Sequence, residues 1–330
     1  MTVKRTSSSR RTKPPPPVKH IRVEQATSFA RLLREMRETG VLGAGRMGLA
    51  EEVLMEMFSN RDYTNFLTIA GPIVPSGFRL LIGDMIQRGF LDAIVTTGAN
   101  LTHDVIEALG GRHYQGTFNV DDRKLIKQGY NRIADIFVKE ESFIQLDKTI
   151  RKLIGTIPEK ERNRIAYSSL LERLGLMLND KDSILYKAAR NHVSVYSPGL
   201  LDSILGLSIW SFSTTQPLLL DPFRDVSRMV DLSMRSKKLG ILILGGGLPK
   251  HNALLSSVFR EGVDLAVQIT MDRPEPGGLS GAPLAESISW RKIREGGRFV
   301  DVIGDVTICL PILYAAILER VKRRNRTRRD

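Results

Sequence analysis

The chain has 330 residues, 42% of them hydrophobic, with a single cysteine and a formal charge of +13. That length admits one large α/β domain or two smaller ones, and a lone Cys309 excludes an intramolecular disulfide. No uninterrupted apolar run nears the roughly 20 residues a spanning helix needs, so the chain reads as cytoplasmic, with no membrane anchor.

The net charge first suggests a nucleic-acid partner, but its distribution weakens that reading. Residues 1–20 contribute six positive charges and residues 320–330 a net six more, which leaves +1 for everything between. The basic character belongs to the tails. Residues 1–22, with Ser7-Ser8-Ser9 and Pro14 to Pro17, cannot bury enough apolar surface to order themselves. Residues 23–318 are expected to form one catalytic α/β domain, and residues 319–330 a second basic tail. Contact of the tails with RNA would be non-specific, because charge alone carries no sequence information.

In chain order, residues 24–58 read as helical, with apolar positions at Phe29, Leu32, Leu33 and Met36, then Val53, Leu54, Met57 and Phe58. Within this span Gly43-Ala44-Gly45-Arg46-Met47-Gly48 matches the G-x-G-x-x-G dinucleotide fingerprint. That fingerprint needs a strand directly before it and a helix opening at it. Here the preceding residues are helical and the first strand comes more than fifteen residues later. Residues 39–48 are therefore expected to be a linker between two helices, its glycines ending the first, and Gly45→Ala is expected to be mild.

Six short β-type runs follow: Asn65 to Ala70, Leu91 to Val95, His192 to Tyr196, Gly240 to Leu244, Leu265 to Thr270 and Phe299 to Ile303. Helical patterns lie between them at Arg79 to Gln87, Arg123 to Val138, Asp221 to Met234 and His251 to Arg260. Residues 140–190 are charged and helical and are expected to form a helical insertion. Continuous apolar strands alternating with helices predict a Rossmann-like parallel sheet covered on both faces, with N-terminal helices added.

In such sheets ligands bind beyond the carboxyl ends of the strands, where helix N-termini can hold phosphate. Two loops fit: Thr96-Thr97-Gly98-Ala99 and Gly245-Gly246-Gly247. Either one alone is more often a plain strand-to-helix turn. Lys292, in Glu286-Ser287-Ile288-Ser289-Trp290-Arg291-Lys292-Ile293, has apolar neighbours in Trp290 and Ile293. An ordinary lysine has a pKa of about 10.4 and is an ammonium at neutral pH; desolvation or a nearby cation frees the amine for attack. A surface lysine on an amphipathic helix is the commoner case. His251, directly after Lys250, is the best acid–base candidate.

The ordered set Gly245-Gly246-Gly247-Leu248-Pro249-Lys250-His251, then Ser280-Gly281, then Ser289-Trp290-Arg291-Lys292-Ile293 resembles the deoxyhypusine synthase family in its archaeal form. The likeness covers roughly residues 25–318. It implies an NAD-dependent transferase that moves the aminobutyl group of spermidine to a lysine of the translation initiation factor 5A precursor. It implies Lys292 as the imine-forming lysine, His251 as acid–base group, Glu286 as an anchor for a substrate ammonium and Trp290 as a stacking surface. Around NAD it implies Thr96, Thr97, Gly98, Ala99, Asp202, Gly245, Gly246, Gly247, Ser280, Asp305 and Val306. It also implies a homotetramer with sites at a dimer interface.

The chain departs from the eukaryotic pattern. Leu207 and Leu279 stand where carboxylates anchor the amines, and Pro276 replaces another. Asp272 and Glu275 are the neighbouring acids able to substitute. His103 replaces an acidic residue, and the Ala70–Gly77 loop matches loosely. Arg291 stands where the family usually has glycine, and helical geometry would point it away from Lys292. Two alternatives follow: a homospermidine synthase-like enzyme with a small amine acceptor, or a catalytically silent NAD- or nucleic-acid-binding relative.

Overall fold

Ser28 opens the first helix by accepting a hydrogen bond from the Arg31 amide, and Gly40, at φ +76°, closes it. This computed structural model describes residues 16–321. The basic residues outside that range, and any RNA contact expected of them, lie outside the described residues. Helix α1 (Phe29–Thr39) and helix α2 (Leu42–Ser59) are separated only by Gly40 and Val41. The fingerprint glycines thus lie in the first turns of α2, which corrects the linker expected over 39–48. A Cβ on Gly45 would sit 2.5 Å from Gly40 C, and one on Gly48 would sit 2.4 Å from Arg37 N. These glycines let two helix backbones touch. Gly45→Ala therefore forces backbone apart and is not mild.

The chain continues through β1 (Tyr63–Ile69), a wide helical turn at Val74–Phe78, α3 (Arg79–Gln87), β2 (Ala93–Thr97) and α4 (Gly98–Ala108). Next come β3 (His113–Gln115), α5 (Asp122–Lys127), β4 (Tyr130–Ile133) and β5 (Ile136–Lys139). Four helices follow: α6 (Glu140–Thr156), α7 (Glu159–Arg162), α8 (Tyr167–Leu178) and α9 (Ile184–Arg190). Then come β6 (Ser194–Gly199), α10 (Ile204–Ser213), α11 (Pro222–Arg235), β7 (Lys238–Leu244) and α12 (Gly247–Leu255). The last elements are β8 (Val263–Thr270), α13 (Glu286–Ser289), β9 (Ile293–Ile303) and α14 (Val306–Leu318).

Six strands pair in parallel in the order β6-β2-β1-β7-β8-β9. Each of the six β-type runs read from the sequence corresponds to one of them. Alternation along the strands sends Phe66, Ile241 and Ile243 to one face, and Leu67 and Leu242 to the other. The larger core takes side chains from α1 to α4, α6, α8 to α10 and α14; the smaller lies under α11 and α12. Helices α6 and α8 bury Leu146, Ile150, Ile154, Leu170 and Leu174 in the larger core.

Two helical expectations need correction. Arg123–Val138 is not one helix: only α5 is helical there, and β4 and β5 form a hairpin that pairs with β3 in an antiparallel sheet. Gly129, at φ +75°, and Ala134, at φ +55°, supply the two left-handed turns that break the pattern. The helix expected from His251 to Arg260 begins earlier, at Gly247, and ends at Leu255.

Candidate active site

The strand order reverses between β1 and β7. From β1 the chain adds β2 and β6 on one side, then returns to add β7, β8 and β9 on the other. The loops leaving β1 and β7 therefore diverge and open a crevice, the standard ligand position in an open α/β sheet. A cleft of about 1120 Å³ lies there. Its walls include Ala70 to Ile73 after β1, Gly245 and Gly246 after β7, Ser280, and Asp305 and Val306 after β9. Helices α12 and α14 begin at its edge, and Asp305 caps α14 by accepting from the Thr307 amide at 2.7 Å.

Five of the eleven expected cofactor residues line this cleft: Gly245, Gly246, Ser280, Asp305 and Val306. Gly246 is packed against the Ser280 backbone, where a Cβ would fall 2.4 Å from Cα. The remaining six do not line it. Thr96 is buried, and its hydroxyl donates to Ile69 O. Thr97 caps α4, accepting from the Asn100 amide. A Cβ on Gly98 would lie 2.4 Å from Ser203 Oγ, so this glycine serves packing. Ala99 and Asp202 are exposed, and Gly247, at φ +58°, opens α12. Asn100 links this loop to the cleft: its side chain donates to Gly71 O at 2.9 Å and accepts from Val74 N at 3.0 Å.

Lys292 is not on a helix. Helix α13 ends at Ser289, and the chain turns back through Arg291 at φ +54°. The Lys292 amide donates to Ser287 O at 2.9 Å, and its carbonyl accepts from Val263 N at 3.0 Å. Arg291 thus occupies a left-handed position, which glycine fills without strain. Helix geometry therefore does not turn Arg291 away from Lys292.

This turn aims Lys292 at α12. Its Nζ lies 3.3 Å from His251 Nε2 and 5.1 Å above the Trp290 ring. His251 is held below its ordinary pKa by burial first, then by the charges of Lys292 and Lys250, so it is neutral at pH 7. Burial pushes Lys250 down to about 8, against the opposing pull of Asp301 and Glu286. Glu286 opens α13 and is exposed, and Trp290 is 62% exposed. Leu207 and Leu279 are about half exposed and bring no charge. An amine and a neutral imidazole in contact can exchange a proton while the amine attacks an electrophilic carbon. This pair is joined to the cleft by α12, which starts at the glycine loop and carries His251 in its second turn.

Several cleft residues escape sequence reasoning. His113, Tyr114, Gln115, Asp135 and Ile136 come from the small antiparallel sheet, and Glu107 from α4. His113 bonds Glu107 at 2.7 Å and His103 at 2.8 Å. The signal present in the sequence was the Gly129 turn followed by β-rich Ile136-Phe137-Val138.

Comparison with known proteins identifies the family. The family model of deoxyhypusine synthase matches residues 31–317. A protein of Methanothermobacter thermautotrophicus named probable deoxyhypusine synthase is 41% identical over 304 residues, covering 92% of this chain and 98% of the relative. A Methanopyrus kandleri protein of the same name is 41% identical over 88% of this chain and 93% of its own length. Among solved structures, a deoxyhypusine synthase homologue from Entamoeba histolytica shares the fold with a TM-score of 0.63 at 20% identity. That match covers 90% of this chain and 96% of the other.

Proposed function

The chain belongs to the deoxyhypusine synthase family, a family of transferases, and we propose that it moves the aminobutyl group of spermidine to a lysine of the translation initiation factor 5A precursor, with NAD as cofactor. The observation that carries this reading is the 3.3 Å approach of Lys292 Nζ to His251 Nε2, on the helix that starts at the strand-switch cleft.

The cleft suits a dinucleotide. It is large enough, it presents glycine backbone, and two helices begin at its edge, where N–H groups favour phosphate. Gly245, Gly246, Ser280, Asp305 and Val306 would hold NAD, with Thr96, Thr97, Gly98 and Ala99 supporting the wall through Asn100. Asp202 and Gly247 belong to the same proposal at its margin. NAD supplies hydride acceptance from the donor carbon and hydride return to the product.

The chain's own residues do the rest. Glu286 attracts a substrate ammonium, and Trp290 offers its exposed face to the aliphatic chain. The Lys292 amine forms a bond to the electrophilic carbon of the oxidised donor, and His251 takes the proton that this nitrogen sheds. The carbon's bond to 1,3-diaminopropane then breaks, and His251 returns the proton to the leaving amine. The acceptor lysine displaces Lys292 by the same exchange.

Assembly into a homotetramer is part of the proposal. Ile204, Leu207 and Trp210 make an exposed stripe along one face of α10, the kind of surface another copy covers. Leu207 and Leu279 favour a second reading, a small amine acceptor or another donor. Incubation with NAD, labelled spermidine and the organism's own factor 5A, followed by weighing the factor, decides between them. A mass gain on the factor supports the first reading, and label only in a small product supports the second.

A further inference from the structure

The segment between β8 and α13 leaves the sheet as an exposed loop and returns as a pinned limb. Residues 271–279 are exposed, whereas residues 280–284 run back along the protein. Three polar side chains from three different elements hold alternate residues of this limb. Gln268 of β8, fully buried, donates its amide to Ser280 O at 2.7 Å and to Gly245 O at 3.0 Å. Lys250 of α12, 4% exposed, donates to Ala282 O. Asp301 of β9 accepts from Leu284 N at 3.1 Å. Gln268 and Asp301 are register partners on adjacent strands, so their side chains share a face of the sheet.

The two ends of the limb reach both halves of the site. Ser280 lines the cleft and rests on Gly246. Leu284 is fully buried, and α13 starts two residues later; Ser287 O then receives the Lys292 amide. Gly281 closes the base of the loop against Arg273, where no Cβ fits.

Apolar side chains would hold such a limb with less desolvation. This row instead uses a buried amide, a buried ammonium and a half-buried carboxyl group, and among the described residues Gln268 Oε1 has no hydrogen-bond partner. What directed hydrogen bonds add over apolar packing is a fixed register.

We propose that Gln268, Lys250 and Asp301 are positioning residues that set the spacing between the cofactor cleft and the Lys292–His251 pair. The inference rests on the reading of Lys292 as the acceptor of the aminobutyl group.

The test uses Gln268→Met, Asp301→Leu and Asp301→Asn in the full-length protein, assayed well below each variant's melting temperature. Methionine keeps the length of Gln268 without its donors, and asparagine keeps an acceptor for Leu284 N. Gln268→Met should weaken NAD binding in a fluorescence titration at least fivefold. It should also slow borohydride-trappable labelling of Lys292 by spermidine at least tenfold. Asp301→Leu should slow labelling tenfold with NAD affinity within twofold of wild type, and Asp301→Asn should restore labelling to within threefold. Labelling and NAD affinity unchanged in folded Gln268→Met and Asp301→Leu would overturn the proposal, leaving a stabilising role only. Should a variant not fold, hydrogen exchange in the wild type decides: the Leu284 amide must be protected and gain protection with NAD, and fast exchange overturns the idea. If wild type is never labelled, the functional reading fails by itself, and NAD affinity and Leu284 exchange still test the clamp.

Discussion

Lys292 Nζ and His251 Nε2 meet at 3.3 Å although 41 positions separate them in the chain. Two independent devices produce the contact. The glycine loop after β7 starts α12, which carries His251, and the left-handed turn at Arg291 after α13 directs Lys292 toward it. Neither device involves the fingerprint string in α2.

Glycine substitutions separate these regions. Gly48→Ala should destabilise the fold by about 1–3 kcal/mol, because its methyl meets Arg37 backbone. NAD affinity of the folded fraction should not change. Gly43→Ala should be neutral or slightly stabilising, since among the described residues a Cβ there meets no neighbour within 4 Å and alanine favours helix. Gly246→Val should abolish NAD binding by driving Ser280 out of the cleft. Urea titration and cofactor titration on the same three variants check this; NAD binding lost in Gly43→Ala but kept in Gly246→Val would reverse the assignment.

Arg291→Gly should keep activity and hold or raise stability. The left-handed conformation costs a side chain roughly 1–2 kcal/mol, which glycine avoids, against a smaller entropic cost in the unfolded chain. Thermal unfolding and turnover measure the two effects. A large loss of activity would mean that the Arg291 charge itself serves the site.

Burial holds His103 at about 4, against about 6.5 when unfolded. The unfolded chain therefore binds the extra proton first as pH falls. The stability associated with neutral His103 is complete above about pH 6.5 and is lost progressively toward pH 4, by roughly 3 kcal/mol in all. Denaturation in urea at pH 7 and pH 5 should show the decline, and His103→Gln should flatten it. His251 is depressed in the same sense, so the acid limb of activity should lie below pH 6.5 and vanish with His251→Gln.

Much of the fold was legible because parallel strands buried on both faces leave continuous apolar runs; all six central strands were readable, Ile241 to Leu244 most plainly. The edge sheet was not. Strands β3 to β5 are short and half exposed, so Arg123 to Val138 mimics a charged helix. Gly43 to Gly48 shows the opposite effect, in which a correct motif string served helix contact. At the site, the family resemblance singled out Lys292 and His251; residue type alone left Lys292 an ordinary surface lysine and His251 a histidine at a helix start. Their contact could not be read, because it depends on the backbone sign at Arg291. Gln268 and Asp301 left no pattern, since a polar residue in a strand covered on both faces reads only as a break in the apolar run.

Glu286→Gln should lower spermidine turnover at least about tenfold, or roughly 1.4 kcal/mol. It keeps shape but removes the charge that Leu207 and Leu279 cannot replace. An unaffected variant would transfer the anchoring role to Asp272 or Glu275. A donor panel of spermidine, homospermidine, putrescine and agmatine should be run beside it.

In the proposed reaction Lys292 is the covalent carrier. Arginine keeps the positive charge but forms no imine under these conditions. The most direct measurement is borohydride trapping with NAD and labelled spermidine, followed by peptide mass mapping of wild type and Lys292→Arg. Label on the peptide containing Lys292 in wild type, none in the variant, and NAD affinity nearly equal in both is the predicted result. Equal labelling of the two proteins would contradict it and remove Lys292 from the chemistry.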